Sequence, residues 1–117
     1  MYDKVTEASL LYDFYAGLLT EKQQEVTRLY HEENLSLSEI AAEYAISRQA
    51  VHDALKNAER SLYEYEDKLG LVRKFADTEK TIGDVTRQLD TIIHQHSDRS
   101  DLVRQMVDIK DRIGQLG

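Results

Sequence analysis

Six polar side chains near the middle of the chain have the types and the spacing for nucleic-acid recognition. Five recur at positions i, i+3, i+4, i+7 and i+11 of one predicted helix and the sixth lies in its first turn: Gln49, His52, Asp53, Lys56 and Arg60, with Arg48. Such side chains hydrogen-bond to base edges in the major groove, and the cations also pair with phosphates. Asp53 repels phosphate, although its carboxylate accepts a hydrogen bond from a cytosine amino group. The face therefore predicts contact with DNA.

Two helices joined by a tight turn must position this face, and residues 37–56 have that pattern. Ser36 and Glu39 form a capping-box signal that starts the first helix, and Ser47 is placed to cap the second. Ala41 supplies the small residue that the crossing of the two helices needs. Apolar anchors come from both helices and the turn: Ile40, Tyr44, Ile46, Val51 and Leu55. The segment predicts a helix-turn-helix, with two alternatives: a plain helical hairpin, or a helix-turn-helix that binds protein.

The turn departs from the usual pattern at one position. Ala45 stands where this motif often has glycine. If the backbone there has a positive φ, a residue with a β-carbon costs about 1 kcal/mol. We therefore expect either a turn that differs slightly from the glycine-containing one or a small local strain. Both outcomes are compatible with a helix-turn-helix.

Helical periodicity extends over the rest of the chain, which has no proline. A first helix is predicted over about residues 6–16, ended by Gly17, and a capping box at Thr20 opens a second helix. The second helix is expected to turn three side chains inward: Val26, Leu29 and Tyr30. The helix capped by Ser47 is expected to run to about Lys68 with an inward apolar stripe: Val51, Ala54, Leu55, Ala58 and Leu62.

Two modules follow from these elements: residues 1–66 as a helix-turn-helix domain and residues 67–117 as a C-terminal helical extension. Two apolar stripes run along the extension, with a break at residues 96–98: Leu71, Phe75, Ile82, Val85, Leu89, Ile92 and Ile93, then Leu102, Val103, Met106, Ile109 and Ile113. Such helices are marginal alone, so they pack on the first module, on each other or on a second chain. We favour a homodimer, which would place two recognition helices about one DNA turn, ~34 Å, apart.

The charge is unevenly spread along the chain. The net charge is −7, with 13 acidic and 6 basic residues in residues 1–66 and nine of each in residues 67–117. This balance excludes a protein that coats nucleic acid through a global positive field. Any contact with DNA must therefore depend on a local patch of cations.

Several other classes of protein are not favoured by the sequence. The chain has no cysteine, which excludes disulfides and thiolate metal sites. His94, His96 and Asp98 are close in sequence, but residues two apart point to different sides of a helix, so no metal site is predicted. Without a phosphate-binding loop or a nucleophile with its base, neither an enzyme nor a cofactor is predicted. No apolar run approaches the ~20 residues of a membrane span, and a cytoplasmic protein is expected.

Several of these segments together resemble the YlxM family of bacterial proteins. The resemblance covers about residues 10–70 and is strongest in five short segments: residues 11–15, 19–23, 36–41, 46–53 and 64–69. The helix-turn-helix part also resembles region 4 of sigma factors, which reads promoter DNA. The resemblance implies an all-α, DNA-binding-like protein that takes part in the signal recognition particle pathway, a link based on gene neighbourhood. Two hypotheses follow: a DNA-binding regulator, or a protein- or ribonucleoprotein-binding adaptor of that pathway that does not bind DNA.

Overall fold

The computed structural model describes residues 2–116 and contains helices and turns, with no strand in that part of the chain. In chain order the helices are α1 (Lys4–Tyr15), α2 (Glu21–His31), α3 (Leu37–Tyr44), α4 (Arg48–Leu69), α5 (Leu71–Gln95) and α6 (Ser100–Gly114). A short 3-10 turn, Ala16–Leu18, follows α1. The predicted all-α fold is confirmed, and so is the long helix that begins after Ser47.

Side-chain caps start the first four helices at the positions that the local sequence specifies. Thr20 and Ser36 each form a complete capping box, in which the side chain accepts a hydrogen bond of 3.1 Å from the backbone N–H three residues on. Ser47 Oγ accepts the corresponding bond of α4 at 3.0 Å, and Asp3 accepts that of α1 at 2.7 Å. Each bond satisfies an N–H group that has no partner inside its helix, so the helix starts are fixed locally.

The end of α1 differs from the prediction, because Gly17 is not its C-cap. The helix closes at Ala16, whose N–H donates to the carbonyl of Tyr12, and the chain then tightens into the 3-10 turn. Leu19 N–H donates to the Ala16 carbonyl at 3.0 Å, so this end needs no left-handed residue. Gly70, in contrast, is a left-handed C-cap, and it ends α4 with a φ of 62°.

The first compact unit ends at Val72 and has two core clusters. One joins α1 and α4: Leu11, Tyr15, Leu19, Ala58, Leu62 and Val72. The other joins α2, α3 and α4: Val26, Ile40, Ala41 and Val51. The predicted apolar stripe of α4 enters both clusters, with Ala54 and Leu55 packed at the edge of the second. The unit extends beyond the expected boundary at residue 66, because Val72 is part of the core.

A hydrogen-bond network ties α1 and α4 to the start of α5. The Tyr15 hydroxyl donates to Glu66 Oε1 at 2.6 Å. The N–H groups of Leu71 and Val72, which have no partner inside α5, donate to the Tyr15 hydroxyl and to Glu66 Oε1, both at 3.0 Å. Burial and the hydrogen bond to Glu66 raise the pKa of Tyr15. Two side chains from distant parts of the sequence therefore cap α5.

Two tyrosines that were expected to face the core lie at the surface. Tyr30 on α2 is 40% exposed and packs edge-on against His31, and Tyr44 at the end of α3 is 36% exposed. Thr27 is buried beside Val26 instead. Small and branched side chains fill the crossings of these helices, and such close packing leaves no space for a tyrosine ring. The inward placement of both tyrosines was wrong.

The second compact unit begins at Arg73 and contains the rest of α5 and all of α6, joined by the predicted break at residues 96–98. An exposed ion pair links its two helices, with Lys110 Nζ 2.7 Å from Asp90 Oδ1. Its apolar stripes are only partly buried, and Val107 and Ile109 expose 40% and 47% of their surface. The described part of this unit therefore leaves apolar surface along α6.

Candidate nucleic-acid interface

The turn between α3 and α4 has the geometry of a left-handed helix end. Ala45 has φ 53° and ψ 43°. Ile46 N–H donates to the Ala41 carbonyl at 3.0 Å and Ala45 N–H donates to the Ala42 carbonyl at 3.3 Å, which is the Schellman pattern. Only Ile46 separates Ala45 from Ser47, which caps α4. Of the two outcomes expected from the sequence, the positive φ corresponds to the second, a local strain of about 1 kcal/mol at Ala45.

The core side of the helix-turn-helix holds α4 in one rotation about its axis. Ile40 and Val51 expose no surface, and Ala41 at the crossing of the helices exposes 8%. Ile46 from the turn and Leu55 from α4 pack against them. Any substantial rotation of α4 would bring Val51 into water, at a cost of about 1.5–3 kcal/mol for that side chain alone. The opposite face of α4 is therefore held towards solvent.

All six predicted contact residues are exposed on α4: Arg48, Gln49, His52, Asp53, Lys56 and Arg60. By helical spacing four of them lie opposite Val51, whereas His52 lies at the edge of that face and Arg48 one turn before Val51 on its own side. From the first residue to the last, the set extends about 18 Å along the helix axis. The major groove of B-DNA is wide enough to admit a helix that carries such a face.

Asp53 organises the polar contacts at the middle of this face. Its Oδ1 accepts a hydrogen bond of 3.0 Å from Gln49 Nε2. His52 Nδ1 lies 3.6 Å from the same oxygen, and both side chains are about half exposed. Exposed contacts of this kind contribute little to stability, at most about 1 kcal/mol. Their effect is positional, because the carboxylate orients the Gln49 amide.

The cations of the face differ in what they contact. Arg60 donates to Asn57 Oδ1 at 2.9 Å. Asn57 was not predicted as part of the face, although its position three residues before Arg60 on the same helix is a signal for the contact. Within residues 2–116, no ion pair of 4.0 Å or less involves Arg48 or Lys56. These two cations are available to phosphate, and so is Arg60, whose partner Asn57 is uncharged.

Exposed carboxylates are present on both helices of the helix-turn-helix. Glu39 and Glu43 on α3 and Glu59 on α4 are exposed. Attraction to phosphate therefore depends on a few cations. Salt screens such exposed charges, so binding through this face would weaken as salt rises.

Neither a cluster of metal ligands nor a membrane-spanning helix is present among the described residues. Within residues 2–116, no three histidine or carboxylate side chains lie together as metal ligands would. No helix in the same range combines the length and the apolar character that crossing a membrane requires.

Known sequences similar to this chain cover the helix-turn-helix and most of the remaining helices. Residues 2–103 match the family described as "Putative helix-turn-helix protein, YlxM / p13 like". A UPF0122 protein of Desulforamulus reducens is 59% identical over 68 residues, which span 58% of this chain and 58% of that relative. UPF0122 proteins of Bacillus thuringiensis and Listeria innocua are 49% and 46% identical over 79 residues, which span 68% of this chain and 72% of each relative. The match thus covers less than two thirds of the Desulforamulus protein.

Proposed function

The chain belongs to the YlxM/p13-like family of helix-turn-helix proteins, and from this premise we propose that it is a cytoplasmic regulatory protein that binds duplex DNA through α4. The observation that supports the proposal is the orientation of α4. Val51 is buried against α2 and α3, while the polar residues opposite it are all exposed. A capped helix that is fixed by its core side and polar on its free side is what insertion into a major groove requires.

Each side chain of the face has a role that follows from its chemistry. Arg48 and Lys56 neutralise phosphates, and the N–H groups at the start of α4 add a partial positive charge there. Gln49 and His52 reach base edges, since both lie in the first two turns of the helix. Asp53 holds the Gln49 amide and accepts from a cytosine amino group. Arg60 pairs with the DNA backbone at the far end of the face.

Two charge-removing variants test this assignment. Fluorescence anisotropy with a mixed-sequence duplex at several salt concentrations should show salt-sensitive binding by the wild type. Arg48→Ala and Lys56→Ala should each weaken binding and reduce the slope of log K against log salt by about one, because each removes one phosphate contact. Lys68→Ala, a matched control in the last turn of the same helix, should leave the slope unchanged. If neither Arg48→Ala nor Lys56→Ala changed DNA binding, the assignment of this face would be refuted.

The second compact unit supports assembly as a homodimer. Its α6 keeps Val107 and Ile109 partly exposed, and pairing with a second copy would bury them. Ile109→Asp should turn a dimer into a monomer in sedimentation velocity, whereas Gln105→Asp, which adds the same charge at an exposed polar position of α6, should not. A monomeric wild type at all accessible concentrations would contradict the dimer.

The acidic surface favours a second candidate function. Glu39 and Glu43 are exposed on α3 of the helix-turn-helix, and the net charge of −7 opposes binding to a polyanion. The chain would then be an adaptor of the signal recognition particle pathway, in line with the role implied by its resemblance to the YlxM family. Capture of that pathway's GTPase or its RNA by the protein, without any shift of duplex DNA at moderate salt, would favour the adaptor over the regulator.

A further inference from the structure

A cleft of roughly 590 Å³ opens between α1, α2 and α4 in the first compact unit. Apolar side chains make up much of its wall: Val5, Ala8, Leu11, Leu55, Leu62 and Tyr63. Val5 and Tyr63 expose 81% and 39% of their surface, so part of this apolar wall is open to water. The volume falls within the range of about 300–1,000 Å³ that is typical of sites for small molecules.

Thr27 lines the same cleft, and its buried hydroxyl has no partner among the described residues. Thr27 is only 6% exposed, and its Oγ1 makes no hydrogen bond to any described residue. Threonine in a helix often donates to the carbonyl four residues back, which this hydroxyl does not do. Buried polar groups normally have a partner, and rotation of the Thr27 side chain towards the cleft would bring this hydroxyl to a bound molecule. A hydroxyl both donates and accepts, which suits the carbonyl or hydroxyl group of a ligand.

The charges around the cleft do not select an ion. Lys4 and Lys56 line it, and so do Asp13, Glu32 and Glu59. His31, His52 and Arg28 add further groups, but Arg28 is paired with glutamates outside the cleft. Because groups of both signs surround the opening, a charged ligand of either sign meets repulsion as well as attraction. The cleft therefore favours an uncharged molecule.

We propose that this cleft binds a small, uncharged aromatic molecule whose carbonyl or hydroxyl group hydrogen-bonds to Thr27 Oγ1. Tyr12, Tyr30 and Tyr63 line the cleft and offer ring contacts to an aromatic body. His52 and Lys56 also line it and lie on the face proposed for DNA. A bound molecule would therefore contact side chains of that face, and this consequence alone rests on the proposed function.

Prodan, an uncharged naphthyl ketone dye, is a suitable probe for the full-length protein in the absence of DNA. Its emission should shift to the blue and saturate at one dye per chain. Thr27→Val should weaken binding about tenfold, the loss expected for one hydrogen bond. Ala8→Trp places an indole in the cleft wall and should abolish binding. Thr6→Trp, two residues away on α1 and outside the cleft lining, is the matched control and should bind as the wild type does.

Three results would overturn the proposal. The first is a wild type that does not bind Prodan, and the second is binding that Thr27→Val and Ala8→Trp leave intact. The third is that the anionic dye anilinonaphthalene sulfonate binds more tightly than Prodan and that Ala8→Trp abolishes the binding of the anionic dye. The cleft would then select an anion. Thr27→Val should also melt no lower than the wild type, since it removes an unpaired buried hydroxyl. Because the dye experiment contains no DNA, a failure to bind Prodan and a failure to bind DNA are separate results.

Discussion

Replacing Ala45 with glycine should stabilise the protein, because Ala45 is held at φ 53° and ψ 43° in the turn between α3 and α4. The left-handed conformation costs a residue with a β-carbon about 1–2 kcal/mol. Glycine removes that cost, but its greater freedom in the unfolded chain offsets about 0.5–1 kcal/mol of the gain. The net gain in the free energy of unfolding should be about 0.5–1 kcal/mol, or about 2–4 °C in Tm for a chain of this size.

Urea unfolding followed by circular dichroism measures the effect, with Ala42→Gly as the matched control. Ala42 is exposed in α3, three residues earlier and in ordinary helical conformation, so glycine there should cost about 0.5–1 kcal/mol. The two substitutions are chemically identical and should have opposite signs. If Ala45→Gly destabilised the protein as Ala42→Gly does, the left-handed turn and the reasoning from its strain would be refuted.

Two further substitutions test how α4 and α5 begin. Ser47→Ala should cost about 1 kcal/mol in urea unfolding, because it removes the acceptor of the 3.0 Å bond that caps α4; an unchanged midpoint would contradict the cap. Tyr15→Phe should cost about 1–3 kcal/mol, because it leaves the part-buried Leu71 N–H without its partner. The pKa of Tyr15 is raised in the fold, so its contribution is complete below the unfolded pKa of about 10 and is lost as pH rises through the folded pKa. Part of the alkaline loss of stability should disappear in Tyr15→Phe, and an identical pH profile would contradict the assignment.

Features that depend on neighbouring residues could be predicted from the sequence. The caps at Thr20, Ser36 and Ser47 each depend on atoms within three residues, so residue type and spacing determined them. The apolar stripe of α4 also followed from spacing alone, because burial of one face repeats with the period of the helix. The exposed position of the six contact residues followed from the same periodicity. What they contact remains a prediction.

Features that depend on distant residues could not be predicted in this way. Tyr15 bonds to Glu66, which lies 51 positions away in sequence, and nothing in either neighbourhood indicates the pair. Tyr30 and Tyr44 have the period of inward residues, yet close packing against α4 leaves them at the surface. The unpaired hydroxyl of Thr27 appears only once three helices surround it. Rotation about a helix axis and the shape of clefts are set by tertiary packing.

The central claim, that the polar face of α4 binds DNA, is tested most directly by titrating the isotope-labelled protein with duplex DNA at low salt and following backbone amide chemical shifts by NMR. The amides of residues 47–60 should move together and saturate, and the shifts should diminish as salt is added. Little should change at buried Val26 or along α6. Shifts confined to α6, or an α4 whose amides do not move while other parts of the chain respond, would contradict the account.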